Sequence, residues 1–512
     1  MLNRCVRWLG AALAMIAIVA AALLTGAVTA GADTGSESTA AGEKPDQSSA
    51  GDAGAAEAPA PATPSEKTAE KHRSGTAKKK LTAQVHRPVT KRERRSETES
   101  EGVDTEPAQR RRTDVAATAG QKPDVTRSTS TAAVEATPPA EAVVTKAATP
   151  RRASLMNAVG SAVLNVVMGL IQFFAGPPVL PADAHVTVRT STLRIPVAGG
   201  RTVTADWYFP DADEPATRLI YLQHGFGAVG SMYSDTAAAL AERTHSIVVA
   251  PTITSNFLTA DGAWLAGTPM QQAVADLFAG DRDALTASAS AAAGREVVLP
   301  RRFTLVGHSA GGSLVMGAAG DMIDGGAIAD LAGIVLLDSV DMNGSVPIAL
   351  SKLTGVNDRP VMDISSERYV WNMFGAVGDE LDAARPGRFN GVMLTGGRHI
   401  DAMDGGNPVI QFAEYVVAGF SAPRNVDAVK SIAAGWVNDL FAGTSDGYYP
   451  EPRRSVDIPT PAGTATAVAL PFTSNKHVQG TPWDKVSELI LDWIARVALY
   501  DPIVGSVAAL DV

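Results

Sequence analysis

Between residues 186 and 395 short apolar runs alternate with stretches of helical periodicity. The runs at 186–197, 202–209, 219–223, 246–250, 303–306, 333–337, 360–364 and 391–395 predict eight strands. The first two alternate apolar with polar positions, as an edge hairpin does. The later ones are continuous apolar runs separated by helical patterns such as 236–243 and 310–323, which is how strands buried on both faces read. The predicted fold class is α/β: an eight-stranded, mostly parallel sheet covered by helices on both faces. Beyond about residue 420 the pattern loosens into a helix (426–441), a Pro- and Gly-rich stretch and an amphipathic helix (483–500). We read 153–420 as the domain and 421–512 as a C-terminal extension packed on it. Ahead of the first strand, 155–176 is uncharged and apolar except for Asn157, Ser161, Asn165 and Gln172. At 100° per residue these four gather within about 80° of one face, so the segment is an amphipathic helix. Docking on the domain is expected of it, because it carries no basic residue to meet anionic lipid.

Composition separates the rest of the 512 residues. Residues 1–32 combine Arg4 and Arg7 with an uncharged run from Trp8 to Ala32 that ends in small residues, the make-up of a signal peptide. The run is also long enough to span a bilayer, so an N-terminal membrane anchor is the alternative. Either reading places the protein outside the cytoplasm, secreted or in the cell envelope. Residues 33–152, rich in Ala, Thr, Pro, Ser and charged side chains, form a low-complexity linker with too little apolar surface to bury. Its basic clusters at 78–80, 91–92 and 94–95 are expected to be a solvated spacer, with contact to membrane or cell-wall polymer as the alternative. Net charge is −10, of which the first 152 residues contribute +4, leaving −14 on the rest. Such a domain has no electrostatic basis for binding nucleic acid. Cys5 is the only cysteine, so disulfides cannot support the fold.

Candidate chemistry begins at the fifth predicted strand, which runs into Gly307-His308-Ser309-Ala310-Gly311-Gly312 and then a helical pattern. A sharp strand–turn–helix needs glycines on either side of its central serine and thrusts the hydroxyl above the sheet, which makes Ser309 the candidate nucleophile. A second Gly-x-Ser-x-Gly match, Gly443 to Gly447, has neither the strand before it nor the helix after it. After the third strand, His224-Gly225-Phe226-Gly227 is placed to form an oxyanion hole from the backbone N–H groups of Phe226 and Ala310. His224 and His308 are read as turn residues. A serine hydroxyl needs a base. His399 follows the last predicted strand by a short loop, at the same sheet edge as Ser309, and is preferred over His477, which has no strand before it.

The His-Gly after a strand, Gly-His-Ser-Ala-Gly-Gly, an Asp after the next strand and a late His resemble the α/β-hydrolase superfamily over roughly 218–404. Leu337-Asp338-Ser339-Val340-Asp341 and His399-Ile400-Asp401-Ala402-Met403-Asp404 are similar to segments of chlorophyllase-like esterases and lipases. The resemblance implies hydrolysis of a small-molecule or lipid ester by a serine hydrolase, with no cofactor and no metal. Consistent with that, no Cys/His cluster has metal-ligand spacing. Three carboxylates compete to orient His399: Asp338, directly after the sixth strand, Asp341, and Glu367 after the seventh. Asp338 is preferred, because a strand terminus is the more rigid support. The loop 252–269, with Phe257, Leu258 and Trp264, is either a lining of the acyl pocket or a packed surface loop.

Overall fold

The apolar runs form the strands β1 (Val186–Ile195), β2 (Arg201–Pro210), β3 (Arg218–Gln223), β4 (Ser246–Pro251), β5 (Phe303–His308), β6 (Leu331–Leu337), β7 (Val361–Ser365) and β8 (Gly391–Leu394). The structure, a computed structural model, describes residues 155–500 apart from 213, 479 and 499. The N-terminal apolar segment, Cys5, the linker and the residues beyond 500 therefore lie outside the described residues.

The sheet has ten strands rather than the expected eight. Residues Ser455–Thr460 (β9) and Gly463–Ala469 (β10) form a hairpin that pairs antiparallel with β8, giving the order β1-β2-β4-β3-β5-β6-β7-β8-β10-β9. The segment after residue 420 therefore extends the sheet itself. β3 to β8 are mutually parallel where they pair, while β1 and β2 are antiparallel at the far edge. The order of the first eight strands, with an antiparallel β2 and the β3–β4 crossover, is that of the α/β-hydrolase fold.

The helices are α1 (Leu155–Ala175), α2 (Ser234–Thr244), α3 (Thr268–Asp276), α4 (Asp283–Ala293), α5 (Ala310–Asp321), α6 (Ser345–Lys352), α7 (Ala376–Ala384), α8 (Pro408–Ala418), α9 (Pro423–Ala442) and α10 (Asp484–Val497). Successive strand side chains point to opposite faces, so each strand feeds two cores. Leu219, Tyr221, Leu305 and Leu336 pack under α3 to α7, while Ile220, Leu222, Val306 and Val335 pack under α2 and α9.

α1 docks by its polar stripe. Asn256 Nδ2 donates to Ser161 Oγ at 2.7 Å and to Asn165 Oδ1 at 2.8 Å, and Gln172 Nε2 donates to Thr204 Oγ1 at 3.1 Å. Its outer stripe of Leu155, Val159, Val166, Leu170 and Phe173 is exposed. It is the one helix among the described residues that is long and apolar enough to cross a membrane. The loop 252–269 is core: Phe257, Leu258 and Trp264 are buried, and Phe257 packs edge-on against Trp264 and Trp493.

Candidate active site

β5 ends at His308, and the chain reverses through Ser309 into α5. Ser309 takes φ 54° and ψ −128°, a conformation that L side chains rarely adopt. Its N–H donates to Leu337 O at 3.1 Å, which ties the turn to the end of β6. A Cβ at Gly307 would strike Gly311 O, and one at Gly311 would strike His224 O, so the flanking glycines are what let the turn close. The result is a serine held above the sheet at the N-terminus of α5.

Ser309 Oγ lies 2.8 Å from His399 Nε2, and His399 Nδ1 lies 2.7 Å from Asp338 Oδ2. All three residues are buried. Because the Asp338 carboxylate only accepts, His399 carries its proton on Nδ1 and presents the Nε2 lone pair to the serine hydroxyl. Asp338 also accepts from Ser366 N at 2.7 Å, Ser366 Oγ at 2.8 Å and Asn372 Nδ2 at 3.1 Å. Burial alone would raise its pKa, but the bonds from His399, Ser366 and Asn372 prevail and hold the carboxyl below the usual range. His399 begins a short 3₁₀ turn (His399–Ala402), and its N–H donates to the Tyr369 hydroxyl.

The other carboxylates from the sequence analysis lie elsewhere. Asp341 caps α6: its Oδ1 accepts from Ser345 N at 3.0 Å and its Oδ2 from Val346 N at 3.1 Å. Glu367 enters through its backbone carbonyl, which accepts from Asn372 Nδ2 at 3.1 Å. His477 stacks on Phe374, and the Gly443–Gly447 loop wraps Asp439, leaving Ser445 exposed.

Phe226 and Ala310 both line the cavity that holds Ser309, and neither N–H donates a hydrogen bond among the described residues. Gly225 brings that loop against Ser309, since a Cβ there would sit 2.9 Å from Ser309 Cβ. His224 Nε2 accepts from Ile253 N at 2.9 Å, so its proton sits on Nδ1 and donates to Gly225 O at 2.8 Å. Burial pushes its pKa down to about 4, and the ring stays neutral.

His308 and Tyr233 form a second network that no sequence pattern announces. His308 Nε2 donates to His399 O at 2.7 Å, which leaves Nδ1 as an acceptor for the Tyr233 hydroxyl at 2.6 Å. Tyr233 Oη in turn accepts from Gly225 N at 2.9 Å. The chain Gly225–Tyr233–His308–His399 thus ties the loop after β3 to the backbone of the His399 loop. Burial, with the adjacent His399 ring, lowers the His308 pKa to about 3.

Ser309 opens into a cavity of about 580 Å³ whose walls are mostly apolar. α1 contributes Val167, Met168 and Ile171, α8 contributes Ile410 and Val417, and α10 contributes Ile490 and Leu491, with Trp371, Met373 and Phe374 on one side. A volume of this size suits a drug-sized or lipid-like molecule. No group of three or more metal-ligating side chains occurs among the described residues.

No family model and no curated protein matches this chain. Solved structures similar to it include brefeldin A esterase, a bacterial homologue of human hormone-sensitive lipase (17% identity, TM-score 0.36, 57% of this chain and 89% of that one). Others are a hyperthermophilic esterase from Pyrobaculum calidifontis (15% identity, TM-score 0.34, 56% and 95%) and carboxyl esterase 2 from Tuber melanosporum (15% identity, TM-score 0.33, 55% and 97%).

Proposed function

We propose that this chain of α/β-hydrolase fold is a serine hydrolase that cleaves a carboxylic ester through an acyl-enzyme. The observation that carries the reading is the hydrogen-bonded series Ser309 Oγ, His399 Nε2, His399 Nδ1 and Asp338 Oδ2, with links of 2.8 and 2.7 Å, set on a strained turn at the floor of an apolar cavity. Ser309 attacks the ester carbonyl as His399 takes its proton. The developing oxyanion receives the N–H groups of Phe226 and Ala310, aided by the N-terminus of α5. The tetrahedral adduct collapses, the ester C–O bond breaks, and the leaving alkoxide takes the proton from His399 and departs as the alcohol. Water then attacks the acyl group with His399 again as base, releasing the acid and restoring the serine hydroxyl. Asp338 keeps the imidazole in the productive tautomer and stabilises the imidazolium that forms in both steps.

Labelling by a fluorophosphonate probe tests this directly, since only an activated serine reacts. Wild type and Ser445→Ala should label and turn over p-nitrophenyl esters, and Ser309→Ala should do neither. Equal loss in both variants would overturn the assignment.

We further propose that residues 1–32 export the chain, leaving it secreted or held at the membrane, with residues 33–152 as a solvated spacer. Fractionation with N-terminal sequencing checks the first: a cytoplasmic chain with an intact Met1 would refute it.

A further inference from the structure

α8 presents Ile410, Ala413, Glu414, Val417 and Ala418 to the cavity, a single face recurring every three or four residues. Glu414 is the one polar member of that face. It is half-buried, it lines the cavity, and its carboxyl makes no hydrogen bond or ion pair among the described residues. Two polar neighbours are engaged by contrast: Asn407 caps the helix through Val409 N, and Gln411 donates to Asp404 Oδ1 at 3.2 Å. Burial pushes the Glu414 carboxyl up to about 8, so it stands near neutral pH as an uncharged acid, able both to donate and to accept. The other titratable side chains lining the cavity are Tyr233, His308, His399, Glu488 and Asp492, and none forms a hydrogen bond or ion pair with Glu414. An unpartnered carboxyl in an apolar wall costs stability that a leucine would not. Its presence there is explained if the occupant of the cavity completes it.

Resting on the ester-hydrolase reading, we infer that Glu414 recognises a hydroxyl borne on the chain that fills the cavity. The preferred ester is then one with a hydroxylated chain rather than a plain alkyl ester. A site built to hydrogen-bond a hydroxyl discriminates strongly against the analogue lacking it, whereas one more methylene in an apolar pocket changes little. Hydroxylated acyl and hydroxylated alcohol portions share this chemistry.

Two substrate series separate them. The first is p-nitrophenyl decanoate with its positional monohydroxy isomers, and the second is decyl acetate with the monoacetates of the decanediols. The full chain should prefer hydroxy isomers at one or two adjacent positions in one series, by about 10- to 100-fold in kcat/KM over the unsubstituted ester. Glu414→Gln, which keeps a donor and an acceptor, should retain most of the preference. Glu414→Leu should abolish it, raise turnover of the plain ester and raise Tm. The inference is overturned if no isomer is preferred in either series, if an ammonium-bearing chain is preferred instead, or if the preference survives in Glu414→Leu. Absence of all ester turnover together with absence of fluorophosphonate labelling is a different result, which sinks the hydrolase reading and this one with it.

Discussion

Replacing Asp338 by asparagine removes one charge and changes no heavy-atom count, yet its expected effect on turnover is large. Three donors converge on the Oδ1 of this carboxylate, away from His399: Ser366 N, Asn372 Nδ2 and Ser365 Oγ, at 2.7 to 3.3 Å. An asparagine must answer them with its single carbonyl oxygen, which turns its NH₂ toward His399 Nδ1. The ring then has to accept at Nδ1 and carry its proton on Nε2, and the Ser309 hydroxyl loses its base. A tautomer error of this kind costs about 10⁴-fold in kcat, equivalent to about 5.5 kcal/mol of barrier. Two controls isolate the effect. Asp341→Asn weakens the cap of α6 and should lower stability by about 1 kcal/mol with kcat near wild type. Glu367→Gln should change neither. The assay is turnover of one activated p-nitrophenyl ester, with unfolding in denaturant measured alongside. A kcat within tenfold of wild type for Asp338→Asn, or a collapse of turnover in Glu367→Gln, would refute the reasoning.

Acid should destabilise the protein through His224 and His308. Both are held neutral, with pKa values depressed to about 4 and about 3, while the unfolded chain takes up protons near pH 6.5, so stability present above 6.5 is lost as pH falls toward 4. The loss is about 2 kcal/mol per histidine near pH 5, read from denaturant unfolding at a series of pH values; a flat profile between pH 7 and 5 would contradict it. Tyr233→Phe leaves Gly225 N–H and His308 Nδ1 buried without partners, so stability should fall by about 2–5 kcal/mol and kcat should fall while ester binding persists. Unchanged unfolding in that variant would show that the relay from the oxyanion loop to His399 is not maintained.

Much of this architecture can be read in the chain before folding, and the parts that cannot either lack local contrast or depend on distant partners. β3 to β8 are runs of Leu, Ile and Val buried on both faces, which a hydropathy pattern detects at once. β10 escapes because its inward positions are Ala465, Ala467 and Ala469, small side chains between Thr466 and Val468 that carry little hydropathy contrast. β9 escapes because Pro459 reads as a strand breaker, although an edge strand tolerates it. Phe257 and Trp264 leave their core role open in the sequence, because aromatic residues in a Gly-rich loop suit a pocket wall as well as an interior. Ser309, Asp338 and His399 each announce themselves by following a strand. Tyr233 and Asn372, which hold His308 and Asp338, act across 75 and 34 residues and leave no local pattern. Glu414 gives no local signal either, because its place depends on the cavity that α8 helps to line.

The cavity takes its walls from both extremes of the described chain, with α1 at residue 155 and α10 ending at Val497. Synthesis on the ribosome therefore delivers its parts in a fixed order. Ser309, Asp338 and His399 have all emerged while α10 is still to be made, so these three side chains exist in the nascent protein before the last wall of the cavity. A premature stop after residue 470 would yield a chain with that serine beside its histidine and a breach where Ile490, Leu491 and Ile494 belong. Such a product would keep α1, α8 and Glu414 but lack the α10 wall, so closing the cavity is a late event in the making of this polypeptide.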